Sequence, residues 1–307
     1  MKLFDLHCDT ASEIFKRKGR LRENGLHIDL KRGGAFDAWC QVFAFFVPDG
    51  LDEESSVGLF LNMHEYFEEQ LKINSDKIAL CRSAADLHST LESGRCAAVY
   101  SIENGAALGS KIEALDFCRD IGVKLISITW NGENALGFGR RCEGKLKPFG
   151  IQAVKRMNEL GIIPDVSHLN DEGTWQVIEL ANGPVAATHS NSRAVLENKR
   201  NLTDEQFKAI AKMGGIVGIN LYPPFLSGHV FAGFDDILRH IYHFLELGGE
   251  NTLALGADFD GAEMDKKWAG VEFMPEIYRY LQCHGLSSDI LDKIFFENAF
   301  NFFCKLG

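Results

Sequence analysis

The strongest constraint on the fold is an alternation: eight short, near-continuous apolar runs, separated by stretches whose apolar residues recur at helical spacing. The runs read as strands are Leu3–Cys8, Trp39–Val47, Ala97–Glu103, Val123–Trp130, Ile163–His168, Val185–His189, Ile216–Leu221 and Leu253–Phe259. Unbroken Val, Ile, Leu, Ala and Phe is what strands covered on both faces require. Amphipathic spacing predicts helices over Glu53–Lys72, Ser83–Glu92, Ser110–Asp120, Phe149–Leu160, Thr174–Ala181, Thr203–Met213, Asp235–Leu247 and Met274–His284. Thr203 with Gln206 makes a capping box. Gly94, Gly122, Gly161, Gly183, Gly214 and Gly248 stand where helices should stop in a left-handed cap. Ser288–Phe303, rich in phenylalanine, predicts a closing helix packed on the strands, and His27–Leu30 reads as a small extra strand in the insertion after the first run. The whole pattern predicts an α/β fold, a closed parallel (β/α)8 barrel of the TIM type forming one domain over residues 1–307. No G-x-G-x-x-G follows an early strand and no P-loop is present, so nucleotide folds have no support.

Composition narrows the class. At 46% hydrophobic and 24% charged residues over 307 positions, the chain can bury a large core. Its net charge of −11 argues against a nucleic-acid partner. No apolar run reaches the roughly 18 residues of a membrane span. The eight cysteines are scattered without C-x-x-C spacing, and the sequence opens directly on a strand with no signal peptide before it. Together these features predict a reduced, cytoplasmic protein with free thiols.

In such a barrel the chemistry gathers where strands end at the C-terminal face. The first strand ends in His7-x-Asp9, two residues apart and therefore on one side of the strand. The third ends at Glu103, the fifth at His168, the sixth at His189 and the eighth in Asp258-Phe259-Asp260-Gly261. Singly, each has an ordinary structural explanation; five ligand-type strand ends on one rim point to a shared site. Buried together, Asp9, Glu103 and Asp258 would repel and resist desolvation, which one or two divalent cations would relieve. The set fits two metals, with His7 and Asp9 on one, His168 and His189 on the other, and Glu103 between. Two metals can lower the pKa of a shared water towards about 7 and polarise a carbonyl. Asp258, outside that set, is placed to take a proton from an attacking water and pass it to a leaving amine.

At this point the chain resembles the renal (membrane) dipeptidase family of zinc peptidases, among the amidohydrolase-type barrels. The matching segments are FDLHCDT at 4–10, HIDLKRGG at 27–34, YSIENG at 100–105, DVSHLN at 165–170, THSNSRAV at 188–195, KRNLTDEQ at 199–206 and GADFDG at 256–261. They span essentially the whole chain in family order. The resemblance implies two zinc ions held by His7, Asp9, Glu103, His168 and His189, with Asp258 as acid/base. It also implies that Arg200 binds the substrate carboxylate, a role its planar fork suits. Substrates would be dipeptides, including those with a C-terminal D-residue, attacked by a metal-bridging hydroxide. The sequence departs from the family pattern after the fourth strand, where many relatives carry Thr-His. Here Trp130 stands in place of that histidine, so carbonyl-oxygen stabilisation would rest on the metal, on Trp130 or on Asn131. A membrane-anchoring tail like that of the animal enzymes has no counterpart, and a homodimer is expected by analogy. The alternatives are another amide or lactone hydrolase on the same centre, or a non-catalytic metal- or ligand-binding barrel. His27, His64, His88, His229, His240, His243 and His284 read as structural or surface residues.

Overall fold

The computed structural model describes residues 1–264 and 268–306. Among them the strands are β1 (Lys2–Cys8), β2 (Ala38–Phe46), β3 (Ile78–Leu80), β4 (Cys96–Glu103), β5 (Val123–Ser127), β6 (Ile163–Asp165), β7 (Ala186–Ala187), β8 (Ile216–Ile219) and β9 (Leu253–Leu255). All pair in parallel. β1, β2, β4, β5, β6, β7, β8 and β9 form a closed ring, sealed by Asp5 opposite Leu255 and by the β2–β4 ladder. The expected eight-stranded barrel is therefore present. β3 was not expected from the sequence. It pairs with Cys96–Ala98 at the foot of β4, on the edge that β5 occupies higher up at Tyr100–Ile102. Three residues are too few to carry a periodic signal.

The helices are α1 (Thr10–Arg17), α2 (Leu30–Gly33), α3 (Glu53–Ile73), α4 (Ala84–Glu92), α5 (Glu113–Ile121), α6 (Pro148–Leu160), α7 (Asp171–Leu180), α8 (Asp204–Lys212), α9 (Pro223–Leu226), α10 (Phe234–Glu246), α11 (Met274–Cys283), α12 (Ser288–Asp292) and α13 (Asn298–Cys304). The Thr203–Gln206 capping box forms, with the Thr203 hydroxyl accepting from the Gln206 amide and the Gln206 side chain accepting from that of Thr203. Three expectations need correction. His27–Leu30 is not a strand, because the Asp29 side chain accepts from the Arg32 amide at 2.8 Å and caps α2. Gly183 is not a left-handed stop: α7 ends in an extended residue, Ala181, whereas Gly94, Gly122, Gly161, Gly214 and Gly248 do have positive φ. The closing helix is two α segments joined by a π-helical turn at Lys293–Glu297.

Four of the expected strands also stop short of their polar tips. β5 ends before Trp130, β6 before His168, β7 before His189 and β9 before Asp258. The side chain of Asp165 explains two of these endings. It accepts from the amides of Ser167 and Thr188 at 3.0 Å each, taking donors that a ladder would otherwise use.

Alternate strand residues face one another inside the ring. Phe4, Leu6, Cys40, Val42, Ala97, Val99, Leu125, Ile163, Ala186, Ile216 and Ala254 form one buried cluster with Phe296, Phe302 and Phe303. Phe303 stacks on Phe4 at 5.1 Å, so the closing helix plugs the foot of the barrel. Continuing the alternation of Ala97 and Val99 by two steps brings Glu103 to the opposite, open mouth. β1 needs a further device. Between Asp5 and Cys8 it advances three residues while β2 advances two, from Gln41 to Phe43. That bulge re-aims the strand after Leu6, so that His7 as well as Leu6 can face inwards.

His240, buried on α10, fixes the segment leaving β7. Its Nδ1 accepts from the Ser192 amide at 3.1 Å and its Nε2 pairs with the Leu226 carbonyl at 3.0 Å. Burial lowers its pKa to about 4. An unfolded histidine titrates near 6.5. Below that pH the unfolded chain takes up a proton the folded chain refuses, so stability falls as pH drops from 6.5 towards 4. His240→Ala should cost about 2–4 kcal/mol at pH 7 in denaturant titrations. The gap to the native chain should narrow between pH 6.5 and 4, because only the native chain carries this penalty.

Candidate active site

The expected ligand residues converge at the mouth. His7 and Asp9 come from the end of β1 and the turn after it, Glu103 from the last position of β4, and His168 and His189 from the loops after β6 and β7. All five are buried. Glu103 lies between two groups. Its Oε1 is 2.8 Å from His168 Nε2 and 3.8 Å from His189 Nε2, while its Oε2 is 3.5 Å from His7 Nε2. Asp9 Oδ2 stands 3.4 Å from the same His7 nitrogen. Two ligating clusters result, His7–Asp9–Glu103 and Glu103–His168–His189, joined through one carboxylate. A third cluster, His7–His189–Asp258, places Asp258 closer to the ligands than its sequence position implied. Its Oδ1 is 4.0 Å from His7 Nε2, and its Oδ2 accepts from Asn220 Nδ2 at 3.0 Å.

The histidine tautomers follow from their other nitrogens. Thr188 Oγ1 donates to Asp165 Oδ2 at 2.7 Å, so at 2.8 Å it accepts from His189 Nδ1–H. Asn131 Oδ1 accepts from Arg140 Nε at 2.6 Å and from His168 Nδ1–H at 3.2 Å. Both imidazoles thereby turn an unprotonated Nε2 to the centre, the form a metal binds. Asp165 is the hub beneath them, also accepting at 2.6 Å from the Ser127 and Ser167 hydroxyls. In the sequence Asp165 stands out only as a neighbour of His168 in the DVSHLN segment. Its strand-terminal position two residues before a serine was the available signal.

Without cations this cluster is electrostatically unsettled. Burial, reinforced by Glu103, pushes the Asp9 carboxyl up to about 8. Burial opposes the charge on Glu103, yet His7 and His168 hold it below the ordinary range. Burial also works against protonation of His7, but Glu103 and Asp9 draw its pKa well up. Burial, with the nearby Arg200, takes His168 down to about 4. Two buried polar atoms, His7 Nε2 and Asp9 Oδ1, have no hydrogen-bond partner among the described residues. Unprotonated imidazoles, a shared carboxylate and orphaned ligand atoms are the donor set of divalent metal sites.

β1 and the loop after β9 are tied together at the same place. The Asp9 amide donates to the Phe259 carbonyl at 2.8 Å and the Asp258 amide to the His7 carbonyl at 3.2 Å. Asp260 anchors the neighbouring loop, accepting from Thr10 Oγ1 and the His27 amide at 2.6 Å each. His27, expected to be structural, returns the contact through Nδ1 to the Asp260 amide at 3.0 Å.

Above the cluster opens a cleft of about 420 Å³, lined among others by Glu13, Phe46, Trp130, Asn131, Arg140, Arg141, Tyr222, Phe225 and Asp258. A larger hollow of about 1010 Å³ lies elsewhere, beside Arg20, Lys31 and Gln70, away from every ligating cluster among the described residues. Trp130 packs edge-on against Phe46 at 5.0 Å, its ring centre 6.3 Å from that of His168. Arg200 lies one layer deeper, its Nη1 donating to Ser190 Oγ at 2.9 Å. Its Nε and Nη2 are buried with no partner.

Comparison with known proteins agrees with this geometry. Residues 1–305 match the membrane dipeptidase family (peptidase family M19). The chain belongs to that family. A curated relative from Klebsiella pneumoniae, an uncharacterised protein in the pqqA 5′ region, is 32% identical over 73% of this chain and 88% of its own length. The crystal structure of a metallopeptidase from Rhodobacter sphaeroides, bound to a phosphinate mimic of the dipeptide L-Ala-D-Ala, superposes with a TM-score of 0.93 at 26% identity, covering 99% of this chain and 98% of that one. A second structure, of a dipeptidase of the same peptidase family, gives 0.93 at 27% identity over the same shares of each chain. The sequence resemblance is thus borne out, and this family member is a metallodipeptidase with the expected barrel. No helix among the described residues is long and apolar enough to cross a membrane.

Two substitutions test the architecture of the centre. Thr188→Val removes the hydroxyl between Asp165 and His189 and should weaken metal affinity about 10- to 100-fold, measured by chelator competition. A Cβ on Gly261 would lie 2.0 Å from Asp9 Oδ2. Gly261→Ala should therefore lower metal content at equal chelator while leaving the far-UV circular dichroism unchanged.

Proposed function

We propose that the chain hydrolyses dipeptides at a binuclear zinc centre held by His7, Asp9, Glu103, His168 and His189. The observation that carries this reading is Glu103, whose two oxygens face two different histidine sets within 3.5 Å. When bound, such cations supply an activated water and polarise a carbonyl oxygen. The protein's own groups do the rest. Asp258 takes the proton of the attacking water and returns it to the leaving amine. Burial raises its pKa above the ordinary carboxylate range, which favours the return step. Arg200 offers unpartnered N–H groups in a buried setting, which supports its role as the carboxylate anchor. Asn131 supports His168 from below, so of the two candidates Trp130 is the one proposed to wall the scissile bond.

The buried guanidinium favours peptides over lactones, since a neutral ester offers it no partner. Eight unpaired cysteines, five of them buried, support a reducing, cytoplasmic setting. A single domain and a homodimer complete the proposal.

Metal-replete protein should cleave members of a panel of L,L- and L,D-dipeptides above a chelated control, followed by amine release. Asp258→Asn should lower kcat about 10²- to 10⁴-fold with metal content retained. Arg200→Ala should mainly raise KM for dipeptides, and no turnover on any dipeptide would refute the proposal.

A further inference from the structure

One arginine suffices for one terminal carboxylate, yet this site has three. Arg200 lies beneath the cleft, and Arg140 and Arg141 line it. The guanidinium centres of Arg140 and Arg200 sit 5.0 and 5.5 Å from the ring centre of Phe225. No carboxylate among the described residues forms an ion pair within 4 Å of any of the three; Asp258 reaches Arg200, and Asp49 reaches Arg141, only from beyond that distance. Clustered, partly desolvated cations repel unless an anion joins them.

Backbone bonds hold this wall rigid. The Arg140 amide donates to the His168 carbonyl at 2.9 Å and the Arg141 amide to the Asn131 carbonyl at 3.0 Å. Gly139 packs where a Cβ would lie 2.1 Å from the Trp130 carbonyl, so the arginine segment is pressed onto the residues flanking the metal centre. Arg140 uses Nε on Asn131, and its two terminal nitrogens have no hydrogen-bond partner among the described residues.

We propose that the enzyme selects dipeptides whose C-terminal residue is itself acidic, with Arg200 taking the α-carboxylate and Arg140, assisted by Arg141, taking the side-chain carboxylate. This rests on the dipeptidase reading. A dicarboxylate is the ligand whose charge matches the wall, and planar guanidiniums discriminate a carboxylate from its neutral amide. Phe225 between the two sites would pack against the methylenes that separate the carboxylates.

The test compares kcat/KM of metal-replete enzyme for Ala-Asp against Ala-Asn and Ala-Glu against Ala-Gln, with the second residue as L and as D. The acidic member should be favoured about tenfold or more in at least one stereochemical series. Arg140→Gln should bring the acid-to-amide ratio towards one. A merely positioning role, through Asn131 and His168, would instead lower kcat for both members alike and leave the ratio intact. The exposed Arg141→Gln should reduce the ratio part-way. A native ratio of one or below, or a ratio unmoved by both substitutions, overturns the inference while cleavage of the amides keeps the dipeptidase reading. Absence of cleavage across all eight substrates overturns both.

Discussion

The structure depends on keeping Glu103 ionised between two sets of imidazoles inside a protein core. A buried carboxylate with only 4% of its surface exposed is tolerable only if charge or donors surround it. Here His7, whose pKa Glu103 and Asp9 draw up, faces one oxygen, while the unprotonated Nε2 of His168 beside the other leaves a place that a cation would fill. His168 and His189 must each present the right nitrogen, and that choice is made one layer further out by Asn131, Thr188 and Asp165. The short polar ends of β6 and β7 follow from the same requirement. Asp165 gathers the serine and threonine donors that orient the ligands, and so cannot also leave those amides to a longer sheet. The barrel is regular at its foot, where phenylalanine plugs it, and irregular at its mouth, where ligands must be aimed.

Backbone strain follows the same division. Four non-glycine residues among those described have positive φ, and three of them, Asn104, Asp258 and Asp260, sit next to the ligand set. Each is an Asn or Asp, the residue types that tolerate this region best. Asn104 turns the chain immediately after Glu103 and is held by the Val47 carbonyl at 2.8 Å. Asp258 turns it where β1 and the β9 loop exchange amide bonds. Such positions persist only where neighbouring bonds over-determine them, and here those bonds are the ones that place Asp258 and the His7–Asp9 pair.

The chemistry was more legible in the sequence than the way it is aimed. Strand-terminal His, Asp and Glu could be read because strand periodicity and the barrel topology fix which end of each strand carries function. The bulge in β1 could not, since nothing in Leu6-His7-Cys8 marks an extra residue; it appears only when β1 is aligned against β2. Asn131 reads in sequence as a candidate contact for substrate, while its side-chain oxygen Oδ1 in the fold serves His168 and Arg140. The difference lies in a chain reversal between Trp130 and Gly139, closed by the antiparallel bridge of Glu133 and Phe138, which no short motif announces. His27–Leu30 shows the converse error. Its apolar alternation is real, but a single Asp29 side chain that caps a helix outweighs two apolar residues.

The replacement of a histidine by Trp130 fits this geometry better than it fits a loss of activity. An imidazole in that place would add another titratable group beside Arg140 and Arg141, which both line the cleft. An indole keeps one donor, cannot be protonated in the working range and packs against Phe46. The same cleft is also lined by Glu13, Asp260 and Glu263. A zwitterionic peptide of two residues carries its carboxylate at one end, where the proposed anchor Arg200 could take it. With Arg200 as the proposed carboxylate anchor, a longer chain would lay neutral backbone against the buried guanidinium and leave its unpartnered N–H groups unsatisfied, which would restrict hydrolysis to short substrates.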